Sequence, residues 1–532
     1  MYGRRPTLTS LRGMVAAAHP LAAQAGARLL ASGGNAFDAA AATAAALNVV
    51  EPYMSGFGGM GLAICYVAAE KRLRVLDFVT PIPSKFPVER FKRREELARG
   101  ALAVGSPGNL AGWHELVSTH GRKPLGEALR PAIELARDGF PLIEFNVAEI
   151  NETAQLLRSE AALYPEIART YLAGGASVRV GTILRQPDLA STFEAIAAEG
   201  PRHLYGGPLG RAVVAHLAKL GGTLTLSDLE AVAPVWRDPI KVSYRGLDVH
   251  TAPPPCEGFQ FLLTLRILEG FALGDLERDG VEHLDTVYRA IRLAASIRIR
   301  SNNPAPAKLA ELLADESVEA LRARVRDGRP ISGPTEQWVA PASSEDPGHT
   351  TSFSIADRDG NMICLTQSLG SPFGSGVVVP GTGLCLNNFL FWSDVNPESP
   401  NRAKPGDALP MCMSPTLSLK EARPVLALGT PGSYGIMQTQ VQALVQHLDF
   451  GLPLQEAIEA PRARLWDHRR IQVESRLAGP TVDALRARGH ELEVFDPWTM
   501  KVGGMQAIAV DPATSSFTGA ADPRRDGYAI AL

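Results

Sequence analysis

The chain has 532 residues, 45% of them apolar and 20% charged, with a formal net charge of -3. That length allows a large buried core and more than one structural unit, although α/β enzymes also build single units of this size. A balance this close to neutral, with no basic stripe, argues against DNA or RNA as a partner. The first twenty residues carry arginines but no uninterrupted apolar run of the kind an export signal needs. Met14 to Ser32 and Asn35 to Val50 read as alanine-rich helices separated by Gly33-Gly34. The second contains Asp38, Thr43 and Asn48 and is shorter than about 18 residues, so a buried helix is expected rather than a membrane span. A soluble cytoplasmic enzyme without a membrane partner is the expectation.

The glycine cluster Ser55 to Gly61 precedes alternating segments, LAICYVA and RLRVLDFV, that read as strands. Helices are predicted over Leu110 to His120, Leu125 to Asp138 and Val147 to Leu157. Leu226 to Leu229 starts a turn-and-helix element, Ile240 to His250 reads as a hairpin or strand leading to Pro253 to Pro255, and Phe259 to Arg326 is mostly helical. From about 330 to 349 the chain is polar, rich in Pro and Ser, and aperiodic, which predicts a flexible exposed segment. An ordinary interdomain linker is its plainest reading.

TTSFSIADRDGNMICLTQSL follows at once. Ser352, Ser354 and Ala356 fall on one side of a strand, Phe353 and Ile355 on the other, and Asp359-Gly360-Asn361 turns the chain into a second strand, Met362 to Ser368. Beyond it come the glycine-punctuated Val377 to Asn387, with the overlapping Gly374 to Gly383 read as a strand pair near the pocket, two strand-like runs within Thr416 to Leu428, the turn GTPGSYG at Gly429 to Gly435, and a helix from Ile436 to Leu448. Shorter elements at Glu456 to Ala460, Ile471 to Val473 and Pro480 to Arg488 complete the pattern.

Metal and cofactor chemistry have little support. Cys65, Cys256, Cys364, Cys385 and Cys412 are odd in number and scattered, without a CxxC or Cys/His cluster. His19, His114, His120, His203 and His216 form no ligand pattern, and the acidic stretches near 273 to 280 and 522 to 526 lack the spacing of a calcium loop. Gly374 to Gly383 has no lysine-serine ending and makes a poor phosphate loop.

Several motifs, taken in order, resemble the gamma-glutamyltransferase (gamma-glutamyltranspeptidase) family. They are Gly13 to Pro52, SPGNLAGW at Ser106 to Trp113, PAIELARDGFPL at Pro131 to Leu142, YRGLDVHTAPPPCEG at Tyr244 to Gly258, and HTTSFSIADRDGN at His349 to Asn361, followed by FGSG, LNN, MSPT and GTPGS. The resemblance implies an α+β fold, the four-layer αββα sandwich of N-terminal-nucleophile hydrolases. It also implies a precursor that cuts itself between His349 and Thr350, leaving a large subunit, 1–349, and a small one, 350–532, as a heterodimer or a dimer of heterodimers.

By that resemblance Thr350 is the nucleophile, and its freed α-amine, with a reference pKa of about 7.7 to 8.0, is its base. Ser368 stands where the family has a threonine that bonds the nucleophile, and Thr351 is a second hydroxyl close to it. The backbone N–H groups of Gly432 and Ser433 form the oxyanion hole; without the family context GTPGS is equally an ordinary turn. His349 is a leaving-side residue, or else a solvent-exposed linker histidine. Asn387 and Asn388 either bond substrate or stabilise a turn.

The positions that hold a gamma-glutamyl group depart from the family. Val79 replaces an arginine, Gly370 an asparagine, Phe389, Phe391 and Trp392 a glutamine and two aspartates, and Met411 and Cys412 a pair of serines. Valine cannot pair a carboxylate and tryptophan offers no charged acceptor to an ammonium, so an altered acyl group is expected. A compact amide such as oxamate is one substrate class. A true gamma-glutamyl compound, a glutaryl or cephalosporin-type acyl amide, or an inactive binding homologue are the alternatives.

Overall fold

The computed structural model describes residues 5–158, 164–172, 177–301, 303–329, 331, 349–399 and 401–532. The tail predicted to be flexible over about 330–349 lies outside these residues apart from Ile331 and His349.

At the centre is the hairpin His349–Asp357 and Met362–Gly370, paired antiparallel with every residue buried. Its turn is fixed by one side chain. Asp357 Oδ1 accepts the N–H groups of Asp359 and Asn361, each at 3.0 Å, while Gly360 takes φ +90°. Asp357 Oδ2 accepts the N–H of Ala36 at 2.8 Å, a donor at a helix start that has no partner inside the helix. The hairpin is thereby tied to the helix Ala36–Val50.

The hairpin belongs to a seven-stranded antiparallel sheet ordered Tyr528–Ala531, Gly13–Ala17, His349–Asp357, Met362–Gly370, Met60–Val67, Arg72–Asp77, Val235–Arg237. A second seven-stranded antiparallel sheet runs Leu8–Ser10, Phe517–Ala521, Gln506–Val510, Arg423–Gly429, Thr416–Lys420, Leu247–Thr251, Ile240–Tyr244. The two pack face to face. Ser354 Oγ donates to the Gln506 carbonyl across the gap at 3.0 Å, and a Cβ on Gly429 would stand 2.0 Å from Ser352 Oγ. The serine side of the strand therefore faces the second sheet, while Phe353 and Ile355 pack with the helices outside the first.

That outer layer includes Pro20–Ala31, Ala36–Val50 and Leu125–Asp138. Alanine and glycine let it lie close: a Cβ on Gly26 would sit 2.3 Å from Thr43 Oγ1 of the neighbouring helix. Ala36–Val50 is buried along its whole length, as expected, and starts with a capping box between Asn35 and Asp38. Phe259–Leu268 and Ile436–Leu448 cover the second sheet, with Val281–Arg300 packed on Phe259–Leu268, which completes the αββα sandwich.

Two expectations are corrected. Met14 to Ser32 is not one helix: Gly13–Ala17 is a strand and the helix begins at Pro20. Met14 to Ala17 are drawn into the sheet by pairing with both His349–Asp357 and Tyr528–Ala531, which overrides alanine's helical preference. Gly374 to Gly383 forms no strand pair, because positive-φ glycines at 374, 376, 381 and 383 bend the chain; its one bridge joins Val378 to Cys385.

Candidate active site

The pairing of the central hairpin slips at its open end. His349 faces Gly370 and Thr351 faces Gln367, so Ser368 and Leu369 both stand opposite Thr350. A bulge of this kind re-aims side chains, and it puts the Ser368 hydroxyl between two groups of the neighbouring strand. Thr350 Oγ1 donates to Ser368 Oγ at 3.2 Å, and Ser368 Oγ donates to the His349 carbonyl oxygen at 2.6 Å. The Gly370 N–H donates to Ser368 Oγ at 2.8 Å and fixes its rotamer. A threonine hydroxyl is thus linked, through one serine, to the carbonyl of the peptide bond that precedes it.

Charges hold this end of the strand from below. Arg525 donates to the Thr350 carbonyl at 2.7 Å and to Glu51 Oε1 at 3.0 Å. Thr351 Oγ1 donates to Glu51 Oε2 at 3.0 Å, so it bonds Glu51 rather than the Thr350 hydroxyl. Burial pushes the Glu51 carboxyl up, and the Arg525 charge pulls it back. Asp526, beside them, is pushed up to about 6 by burial and then by Glu51.

His349 is not a solvent-exposed linker residue. It is the first residue of the strand, 5% exposed, and its Nε2 lies 2.8 Å from Glu149 Oε2. The pairing of strand and carboxylate withdraws it from solvent.

Gly432 and Ser433 lie between the strand Arg423–Gly429 and the helix Ile436–Leu448, with φ +128° and +52°. Neither backbone N–H has a hydrogen-bond partner among the described residues. Two free donors in a left-handed turn before a helix suit a developing anion. The loop begins at Gly429, against Ser352, two residues along the strand from Thr350.

The expected pocket residues carry no charge, and Phe389, Phe391, Trp392 and Gly370 lie together. Phe389, Phe391 and Trp392 lie in one short turn, with Trp392 5.0 Å from Phe391 and 5.9 Å from Phe389 between ring centres. A Cβ on Gly370 would meet Asn388 Oδ1 at 2.2 Å and Trp392 Cζ3 at 3.0 Å, so the glycine and the tryptophan fit as a pair. Asn387 spends its amide on the backbone of Gly58, Gly105 and Phe389, and Asn388 on Ala98 and Ser371, which is the turn-stabilising alternative. Met411 is buried and its carbonyl accepts the Glu257 N–H at 2.8 Å. Cys412 is buried beside Ser433, its thiol pushed up to about 12 by burial. Val79 is partly buried after the strand Arg72–Asp77, its N–H on Asp77. Trp392 and Tyr434, the neighbour of Ser433, border a cleft of about 350 Å³ that Glu257 and Arg298 also line.

Sequence reasoning missed Glu51, Glu149 and Arg525. Glu51 had one visible signal, a carboxylate directly after a helix expected to be buried. Arg525 lay in an acidic-basic stretch weighed only as a calcium loop.

Two antiparallel sheets between helical layers, with a buried hydroxyl at the head of a central strand, make this an N-terminal-nucleophile hydrolase. The chain belongs to the gamma-glutamyltranspeptidase family, whose profile matches residues 22–532. It is 36% identical to the acylase ACY 1 proenzyme of Pseudomonas sp. (strain SE83), across 98% of this chain and 94% of that one. It is 31% identical to the glutathione hydrolase proenzyme of Bacillus subtilis (strain 168), across 98% and 91%. Its fold matches the crystal structure of cephalosporin acylase from Bacillus halodurans with a TM-score of 0.92 and 31% identity, covering 100% of this chain and 98% of that one. The protein is a self-processing amide hydrolase of this superfamily.

Proposed function

We propose that Thr350 is the nucleophile of an acylase-type amide hydrolase, released by a cut between His349 and Thr350, and that its acyl group is not gamma-glutamyl. The observation that carries the reading is the hydrogen-bonded line from Thr350 through Ser368 to the His349 carbonyl. In the precursor, Thr350 Oγ1 attacks the His349 carbonyl carbon. Its proton passes to Ser368, whose own proton goes to the carbonyl oxygen. Collapse of this adduct breaks the C–N bond, with the proton transferred to the leaving nitrogen, and leaves an ester on Oγ1. Water then hydrolyses the ester, freeing the His349 carboxylate and the Thr350 amine.

In turnover the new amine takes the Oγ1 proton and delivers it to the leaving amine of the substrate. The N–H groups of Gly432 and Ser433 receive the oxyanion, and water or an acceptor amine takes the acyl group. Loss of the charged clamp at Val79, Gly370, Phe389, Phe391, Trp392, Met411 and Cys412 supports an altered acyl group. The likeness to acylases favours an acylase-type acyl amide over a compact amide such as oxamate.

Purified enzyme assayed on a glutaryl amide, oxamate and gamma-glutamyl-p-nitroanilide tests the substrate reading. Efficient turnover of the gamma-glutamyl compound overturns it. Thr350→Ala is expected to abolish both the cut and turnover, leaving one band on a denaturing gel, while Thr350→Ser keeps part of each. A fully active preparation in which Thr350 is still joined to His349 refutes the mechanism.

A further inference from the structure

Self-cleavage demands that one carbonyl carbon be held against one hydroxyl, and His349 carries that carbonyl. Its side chain is gripped by a residue two hundred positions away in sequence: Glu149, on the helix Glu144–Arg158, lies 2.8 Å from His349 Nε2. Both residues are more than nine-tenths buried. The other ring nitrogen, Nδ1, is buried without a partner among the described residues, so the Glu149 contact is the one that orients the ring.

The helix bearing Glu149 is anchored to the scaffold that holds Thr350. Asn146 Nδ2 donates to the Val50 carbonyl and the Tyr53 hydroxyl, each at 2.9 Å, on either side of Glu51 in sequence. The Phe145 N–H donates to Asp526 at 3.3 Å, and the Arg525 guanidinium lies 5.3 Å from the centre of the Phe145 ring. Glu149 and Arg525 therefore fix the two sides of one peptide bond: the first holds the side chain before it, the second the carbonyl after it.

We infer that Glu149 is a positioning residue for self-cleavage, which acts by clamping His349 so that its carbonyl lies on the Ser368 hydroxyl and within reach of Thr350 Oγ1. The inference rests on the assignment of Thr350 as nucleophile. It carries a consequence that a merely stabilising ion pair does not. Once the bond is cut, His349 is the end of the upstream fragment and no longer shares a peptide bond with Thr350, so the clamp bears on maturation and not on the acyl transfer that follows.

The test is time-resolved denaturing electrophoresis of full-length chains made by cell-free synthesis, comparing wild type, Glu149→Ala, Glu149→Gln, His349→Ala, the Glu149→Ala/His349→Ala double variant and Thr350→Ala. Loss of a charge-assisted hydrogen bond is expected to slow the cut about 10- to 100-fold in Glu149→Ala. Glu149→Gln, which keeps a polar partner, is expected to fall between it and wild type. The double variant should cut no more slowly than His349→Ala alone, since one contact is lost in both. The cut rate should fall by much more than turnover per cut molecule. Wild-type cutting in Glu149→Ala, additive effects in the double variant, or equal losses of cutting and turnover overturn the inference. Should Glu149→Ala not fold, judged by the melting curve of its uncut Thr350→Ala form, the same criteria apply to Glu149→Gln. A Thr350→Ala chain that is still cut at this bond refutes the nucleophile assignment instead, whatever Glu149 does.

Discussion

Ser368 differs from a threonine by one methyl group, and its contacts use only the hydroxyl. It receives the Thr350 hydroxyl and the Gly370 N–H and gives its proton to the His349 carbonyl. Ser368→Ala is therefore expected to slow self-cleavage by about 100-fold or more, the scale of a lost proton carrier, with Ser368→Thr restoring most of it. Time courses of the two fragments on a denaturing gel check this. Asp526 offers a pH signature. Its carboxyl, raised to about 6, binds a proton more tightly in the folded chain than in the unfolded one, where about 3.9 applies. The folded state holds that extra proton between about pH 4 and 6, so stability from this group falls as pH rises through the window. Asp526→Asn is expected to stabilise the protein by about 1 kcal/mol above pH 6, after allowance for partial exposure, and to change nothing below about pH 4. Thermal melts of both proteins at the two pH values decide it. Thr350 and Ser368 were picked out through the family resemblance, since a polar tract running into a Thr-Thr strand reads by itself as an ordinary linker. Glu51, Glu149 and Arg525 were not, since each meets the hairpin across hundreds of residues and a lone charge in a sequence carries no address.

Most elements were legible from period and punctuation: Leu125–Asp138 and Ile436–Leu448 form over the expected ranges, and the hairpin turns at Gly360. The strand Gly13–Ala17 was hidden because GMVAA has no alternation to show; buried on both faces, it needs no polar side. The close approach of the sheets was equally hidden, because it depends on what is missing from Gly429. A methyl group there would meet Ser352 Oγ at 2.0 Å and Cys364 Sγ at 2.7 Å. Gly429→Ala is expected to push the sheets apart two residues from Thr350, costing about 1 to 3 kcal/mol and reducing turnover. Denaturant unfolding and activity per cut molecule measure the two effects. On the helical side, Asp38 Oδ atoms accept the N–H groups of Asn35, Arg122 and Lys123 at 2.8 to 3.0 Å in full burial. The helix thereby sets both its own start and the loop that leads into Leu125–Asp138.

The cut proposed before Thr350 would fall inside an interleaved structure. In the first sheet the strand Gly13–Ala17 lies between Tyr528–Ala531 and His349–Asp357, with Met60–Val67 and its neighbours continuing beyond Met362–Gly370. In the second, Leu8–Ser10 flanks Phe517–Ala521 on one side while Leu247–Thr251 flanks Thr416–Lys420 on the other. In both sheets strands from before the cut are thus hydrogen-bonded to strands from after it, and the two pieces are expected to stay together through native purification.

The same weave makes maturation a one-way step for the chain as a whole. Before the cut, an unravelled molecule keeps its two halves on one tether, and finding its way back is a unimolecular event. Afterwards each half, once parted, bares strand edges that only the other half can cover, and clumping competes with reunion. Heat-denatured Thr350→Ala precursor should regain its native circular dichroism on cooling in higher yield than mature enzyme at the same concentration, and the gap should widen as the protein is concentrated. The molecule would then trade the ability to start over for the ability to work, its lifetime after activation being set by how slowly it comes apart.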